Sequence, residues 1–151
     1  MQSLNSLRSA SKQVLRGVFT DIDDTLTTDG AITPDALQAL ADLKAAGLSV
    51  VAITGRPVGW SEPFAAQWPV DAIVAENGAV ALRRTAPEGL NEIGLQRLLD
   101  QRCQLSKSYQ QPPAVRQRNY ARMQQVLAQI ESEVPGARRA TDSAGRETDI
   151  A

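Results

Sequence analysis

The sequence predicts an α/β fold built on a parallel sheet, and three observations carry that prediction. From Gly17 to Ala75, short apolar, β-rich runs alternate with helix-patterned stretches, the grammar of right-handed, doubly wound strand–helix–strand units. Each run stops at polar residues: Asp21, Asp23 and Asp24 after the first, Thr54 and Arg56 after the second, Glu76 and Asn77 after the third. Open parallel sheets bind ligands at exactly such carboxyl ends, so the three clusters are expected to form one site. The third observation is composition. A chain of 151 residues, 42% apolar and only 4% aromatic, fits one domain with at most a small second lobe, and its core must be Leu, Val, Ile and Ala. At that length about 70% of the unfolded surface can be buried, so no disulfide or structural metal is needed.

Taken in order, residues 1–15 read as a flexible N-terminal arm, Ser-rich and free of acids, without the continuous apolar stretch of a secretory signal. Residues 16–84 hold the sheet. Gly17 to Ile22 is a short buried strand ending in carboxylates. A turn-rich stretch through Asp29-Gly30 leads to Thr33, a natural N-cap with Pro34 at the first helical position. The helix that follows turns Ala36, Leu37, Leu40 and Leu43 inward and ends at Gly47, placed as a C′ glycine. Leu48 to Ile53 is the second strand, Val58 to Gln67 the second helix and Ala72 to Ala75 the third strand. Asn77-Gly78 then forms a hairpin turn into Ala79-Val80-Ala81-Leu82. Beyond Ala86-Pro87-Glu88-Gly89 the pattern changes. A helix is expected from Asn91 to about Gln104 and a longer one from about Ala114 to Glu133, its inner face made of Val115, Met123, Val126, Leu127 and Ile130. Arg146 to Ala151 reads as the start of a strand. No internal repeat is present.

Absences exclude whole classes of chemistry. With no histidine there is no Ser-His-Asp triad, Cys-His pair, HExxH zinc helix or imidazole base. Proton transfer must run through carboxylates, Lys, Tyr or water. The single Cys103 excludes an internal disulfide and fits a reducing, cytoplasmic setting. A net charge of −1 leaves no electrostatic footprint for nucleic acid, and no apolar run is long enough to cross a membrane.

The chemistry concentrates in Phe19-Thr20-Asp21-Ile22-Asp23-Asp24-Thr25-Leu26-Thr27. A carboxylate nucleophile needs exposure at a strand tip beside a second carboxyl that can give and then take a proton. Spacing of two at a strand end places both on one side of the sheet. Three clustered acids repel unless a cation sits among them, which points to Mg²⁺. Asp-rich turns also occur as plain solvated loops, and Asp24 suits either positioning or turn chemistry. Arg56 can hold a phosphate or pair with Asp24. Asn77-Gly78 can be turn or ligand contact, and Lys107 and Tyr109 read as a solvated face.

The string Asp21-x-Asp23-x-Thr25 after a hydrophobic strand resembles the first motif of the haloacid dehalogenase (HAD) superfamily of phosphohydrolases. The resemblance implies a HAD-like Rossmannoid sheet in which Asp21 attacks phosphorus and Asp23 protonates the leaving oxygen, later activating water. It also implies that Mg²⁺ is held by Asp21 and the Asp23 carbonyl, and that the Thr54 hydroxyl binds a phosphoryl oxygen. Thr54-Gly55-Arg56-Pro57 and Glu76-Asn77-Gly78-Ala79 look like the type IIB, or Cof-like, branch, which includes sugar-phosphate phosphatases and inserts an α/β cap after the third strand. Residues 85–151 would then be part of that cap. On this resemblance Gly55, Arg56 and Asn77 join Thr54 as phosphate-binding residues.

The family's complete site also has a Lys beside the nucleophile and a late acidic metal motif. Lys12, Lys44 and Lys107 do not stand at the end of a late strand, and Asp142 and Asp149 lack the motif's surroundings. The chain is therefore expected to be the N-terminal part of a longer architecture, without the later part of the core, leaving an unpaired sheet edge that favours homo-oligomers. Each such group contributes about 3 kcal/mol or more to phosphoryl transfer.

The expectation is a Mg²⁺-dependent phosphomonoester hydrolase working through an aspartyl-phosphate on a small phosphorylated metabolite such as a sugar phosphate. The alternative is a non-catalytic module that binds metal, phosphate or a protein partner. A receiver domain also pairs acids after its first strand, but its phospho-accepting Asp and later Lys have no counterparts in place here.

Overall fold

A computed structural model describes residues 15–85 and 104–151. Residues 1–14 of the expected N-terminal arm and 91–103 of the helix expected at 91–104 lie outside the described residues.

Strands β1 (Gly17–Asp21), β4 (Ser49–Ile53) and β5 (Ala72–Ala75) form the parallel part of a five-stranded sheet. Strands β6 (Val80–Arg84) and β7 (Leu105–Tyr109) extend it antiparallel, in the order β1-β4-β5-β6-β7. A small ladder, β2 (Thr27–Thr28) with β3 (Ala31–Ile32), stands after β1. The register sets Val18 against Val50, Thr20 against Ala52, and Ile73 between Ala52 and Leu82.

Helix α1 (Pro34–Ala45) starts as its sequence demands. Thr33 is extended, and its hydroxyl accepts from the Ala36 N–H, while Pro34 occupies the first turn where no N–H is needed. The Thr33 hydroxyl also holds the Asp35 carboxyl below its ordinary range. The helix is over by Gly47, whose positive φ suits a residue without Cβ. Helix α2 (Val58–Gln67) has the bounds the sequence implies.

Both crossovers step the same way across the sheet. Right-handed connections therefore put α1 and α2 on one face, where Leu40, Val58, Ala65 and Trp68 pack with Val50, Ala52, Ile73, Val80 and Leu82. On the opposite face Phe19 is 74% exposed and Ile53 36%. A parallel sheet ordinarily has both faces covered; the described residues supply only one such layer.

Three expectations are corrected beyond Arg84. The sequence reading has no strand at Leu105–Tyr109, yet β7 runs along β6 from Arg84 to Val80. The unpaired edge of β6 captures a segment whose alternation is too polar to announce itself as a strand. Helix α3 (Pro113–Glu133) lies where expected but buries none of its residues, with Val126 47% and Ile130 43% exposed. Of its apolar stripe, Met123 and Val126 line an open groove of about 350 Å³ together with Ile150. Finally, residues 146–151 form no strand. Their backbone is claimed by a side chain of the sheet's end, Glu76.

Candidate functional site

The site is assembled at the carboxyl ends of β1, β4 and β5. Asp21 ends β1 and is exposed. The chain then winds tightly: the Ile22 carbonyl accepts from the N–H groups of Thr25, Leu26 and Thr27 and from the Thr27 hydroxyl, and Asp24 takes a left-handed φ of 56°. Winding of this kind lifts the Asp23 side chain back over the end of β4, and gives Asp24 a turn role.

Asp23 is the hub. Its Oδ2 accepts from the Thr54 hydroxyl at 3.1 Å, and its Oδ1 from Arg56 Nε and Nη2, both at 2.9 Å. The Arg56 guanidinium also stacks 5.4 Å from the Trp60 ring centroid. Arg56 thus pairs with Asp23 rather than Asp24, and the Thr54 hydroxyl, buried and accepting from the Arg56 N–H at 3.0 Å, is oriented from both sides.

The two later loops are tied together. Thr54 N–H donates to the Val74 carbonyl, Asn77 N–H to the Thr54 carbonyl, and Glu76 N–H to the Arg56 carbonyl. Glu76 and Asn77 both have positive φ, 50° and 55°, so this hairpin turn is strained in a way that turns the Asn77 side chain toward Gly55. A Cβ on Gly55 would stand 2.9 Å from Asn77 Oδ1, so the Asn77 amide would have to shift to admit one. Asp21, Asp23, Thr54, Gly55, Arg56 and Asn77 are therefore all set around one end of the sheet.

Sequence reasoning missed the contribution of the C-terminal segment. Glu76 is only 2% exposed, and its carboxylate accepts from the N–H groups of Val58 at 3.1 Å, Glu147 at 2.9 Å and Thr148 at 2.7 Å, and from the Thr148 hydroxyl. This brings Asp149 within 3.4 Å of Asn77 Nδ2, and Arg146, paired with Asp142 and Asp149, within 3.4 Å of the Gly55 carbonyl. A buried carboxylate needs such donors, but nothing in the local sequence reveals that they lie 71 and 72 residues away.

The described lysines are engaged elsewhere. Lys44 pairs with Asp71 at 2.5 Å, and Lys107 with Glu62 and Glu147, both at 2.6 Å. Burial works against the Lys107 charge, but hydrogen bonds to Glu147 and Glu62 outweigh it and raise the ammonium's pKa. Burial likewise opposes ionisation of Glu147, yet Lys107 and Tyr109 hold its carboxyl below the ordinary range. Lys107, still exposed, and Tyr109, half-buried, are thus also parts of a network joining α2, β7 and the C-terminal segment.

Among the described residues, no three Asp, Glu, Cys or His side chains converge as a metal cage. The donor set that remains is the Asp21 carboxylate, which has no hydrogen-bond partner among the described residues, and the Asp23 carbonyl. Two protein oxygens fit the habit of Mg²⁺, which keeps several waters and takes the rest of its shell from a phosphate.

Comparison with known proteins adds the family. The chain resembles a HAD subclass IIB sugar phosphatase at 28% identity over 44% of its own length and 27% of the other's, with a TM-score of 0.38. A Thermoplasma acidophilum protein superposes over 91% of this chain and 50% of its own at 14% identity, with a TM-score of 0.61, which establishes a shared fold. A HAD phosphatase from Bacteroides thetaiotaomicron aligns over 83% of this chain and 52% of its own at 19% identity, with a TM-score of 0.41. The chain thus spans about half the length of these proteins or less. No curated protein matches it in sequence. The model of the haloacid dehalogenase-like hydrolases matches residues 18–137, a span that holds every residue of the Asp21, Thr54 and Asn77 clusters, and the chain belongs to that family.

Proposed function

We propose that the chain is the nucleophile-bearing part of a phosphomonoester hydrolase of the type IIB branch, acting on a small phosphorylated metabolite. The observation that carries this reading is the pairing of Asp23 with Thr54 and Arg56 beside an Asp21 carboxylate that has no partner among the described residues. Two hydrogen-bond donors that suit a phosphoryl group already grip a carboxylate, the nearest anion available to them.

An arriving phosphate dianion competes for the same donors. Arg56 is 48% exposed, so it swings from Asp23 to the phosphate at little cost, and the Thr54 hydroxyl follows. Asp23 is thereby released and, on taking a proton from solvent, serves as acid. An Asp21 carboxylate oxygen bonds to phosphorus as the ester P–O bond breaks, and the leaving oxygen takes the Asp23 proton. In the second step Asp23 removes a proton from water, whose oxygen displaces Asp21 from phosphorus and yields inorganic phosphate. Mg²⁺, held by the Asp21 carboxylate and the Asp23 carbonyl, would supply charge neutralisation between nucleophile and phosphate. Gly55 and Asn77 border the phosphate position. The described residues from 104 onward carry the neighbouring cap-like surface, although β7 among them is continuous with the main sheet.

A sugar phosphate is the favoured substrate class because the IIB relative is described as a sugar phosphatase. A single cysteine suits the cytoplasm; among the described residues no helix is long and apolar enough to cross a membrane. The second reading, a phosphate-binding module without turnover, is favoured by the commitment of Lys44 and Lys107 to other carboxylates. Acid quenching during turnover of ³²P-labelled phosphate monoester with Mg²⁺ decides between them. Labelled protein in the chain and none in Asp21→Asn supports the hydrolase; phosphate binding without labelling supports the module.

A further inference from the structure

We infer that a polar pocket around Arg116, at the same end of the sheet as Asp21 but separate from it, binds an oxyanion. The pocket holds about 60 Å³ and is lined by Ala79, Gln110, Gln111, Arg116 and Thr148. That is room for one phosphate or carboxylate group, or about two waters.

Its donors are what select an anion. The Arg116 guanidinium stacks on the Tyr109 ring, its central carbon 3.4 Å from the centroid, a contact that restrains the fork. Arg116 Nε is buried and has no hydrogen-bond partner among the described residues, and no carboxylate of those residues lies within ion-pair distance. The acids and bases around it are already matched: Glu147 takes Lys107 and the Tyr109 hydroxyl, and Glu62 takes Lys107. Glu147 stands near enough for the Arg116 charge to lower its pKa, yet it makes no bond to that fork.

Gln111 reinforces the polarity. Its carbonyl oxygen accepts from Asn119 at 3.1 Å, so the amide hydrogens are the part left to face a ligand. The Thr148 hydroxyl is spent on Glu76 and offers only its lone pairs. The pocket also adjoins the first turn of α3, which has no side-chain cap and adds the positive end of a 21-residue helix. A charged fork with an unsatisfied N–H, spare amide donors and an uncapped helix start together describe an oxyanion receptor.

Two sources share this chemistry. Thr54 follows β4 and Ala79 precedes β6, two strand spacings away, about 10 Å. A second acidic group on the phosphate ester could therefore reach the pocket, and a free anion could equally fill it. The first source rests on the hydrolase reading above; the receptor itself does not.

The test is NMR on the full ¹⁵N-labelled chain, following the Arg116 Nε–H and Gln111 side-chain resonances during titration with inorganic phosphate. Saturable shifts at both groups support the pocket, with the Gln111 shift abolished in Arg116→Met and the Arg116 shift weakened in Gln111→Leu. Arg116→Lys, which keeps the charge and loses the fork, should bind more weakly than wild type. Resonances that stay fixed through high millimolar phosphate, as they would if water alone filled the pocket, overturn it, and so does a Gln111 shift that survives Arg116→Met. Comparing 6-phosphogluconate with glucose 6-phosphate separates the sources. A preference of about tenfold for the former, lost in Arg116→Met, assigns the pocket to the ester's second anion; equal affinity with phosphate still shifting Arg116 assigns it to a free anion. Amide shifts at Asp21 and Asp23 report the first site in the same spectra, so failure of the hydrolase reading is seen separately.

Discussion

Replacing Glu76 by Ala should cost the fold more than any substitution at an exposed site residue. The wild-type carboxylate is 2% exposed and satisfies the N–H groups of Val58, Glu147 and Thr148 together with the Thr148 hydroxyl. Hydrogen bonds to a charged group contribute about 1.5–3 kcal/mol each, and a buried donor left unpaired costs about 1–3 kcal/mol. Simple addition overstates the loss, because removing a buried carboxylate also recovers its desolvation cost and because Glu147 and Thr148, half-buried, can find water. Val58 cannot, being fully buried at the start of α2. The net expectation is about 3–4 kcal/mol. For a domain of this size that is a fall in Tm of about 6–15 °C. Urea unfolding gives the free energy, and hydrogen exchange localises it: the amides of Val58, Glu147 and Thr148 should lose protection while those of β4 and β5 keep theirs relative to global stability. Thr148→Val should cost about 1 kcal/mol, and its double mutant with Glu76→Ala should be non-additive. A loss below about 1 kcal/mol in Glu76→Ala, or unchanged exchange at Thr148, would show that the carboxylate does not hold the C-terminal segment.

Four further outcomes are expected. Asp21→Asn should leave the melting curve unchanged, because the side chain is exposed, and abolish phosphoenzyme formation; labelling at wild-type level would remove Asp21 from the nucleophile's role. Gly55→Ala should cost less than about 1 kcal/mol, since its Cβ meets only the movable Asn77 amide, but should raise KM for a phosphate ester; an unchanged KM would exclude this loop from phosphate binding. Stability should fall with acid. The Glu147 pKa is depressed by its partners, so its contribution is complete above its ordinary value of 4.5 and disappears as pH drops through the lower folded value. Lys107→Met should flatten that part of the pH profile while leaving the share of Asp71, which Lys44 depresses; an identical profile would refute the coupling. Phe19→Ser should change stability by no more than about 0.5 kcal/mol, since the ring is already in solvent, and should reduce self-association in sedimentation at micromolar concentration; equal sedimentation of both proteins would exclude that face from an oligomer.

The sequence by itself determined whatever depends on neighbours in the chain. Thr33-Pro34 started α1, Gly47 followed its end, Asn77-Gly78 turned β5 into β6, and Asp21, Asp23, Thr54 and Asn77 stood at strand ends because a strand's polarity changes where it leaves the core. Each of these is a local conformational preference, readable from a few adjacent residues. Tertiary structure decided what depends on distance along the chain. Arg56 chose Asp23, 33 residues away, over Asp24, because the winding about the Ile22 carbonyl turns one carboxylate over β4 and the other into a left-handed turn. Glu76 claimed the backbone of Glu147 and Thr148, so residues read as a strand became its hydrogen-bond donors instead. Leu105–Tyr109 became β7 because β6 offered an open row of backbone groups, an attraction that no side-chain pattern encodes. The apolar stripe of α3 was legible and yet only half covered, with Val126 and Ile130 exposed, because periodicity states which face a helix can bury and only the assembled sheet provides a surface to bury it against.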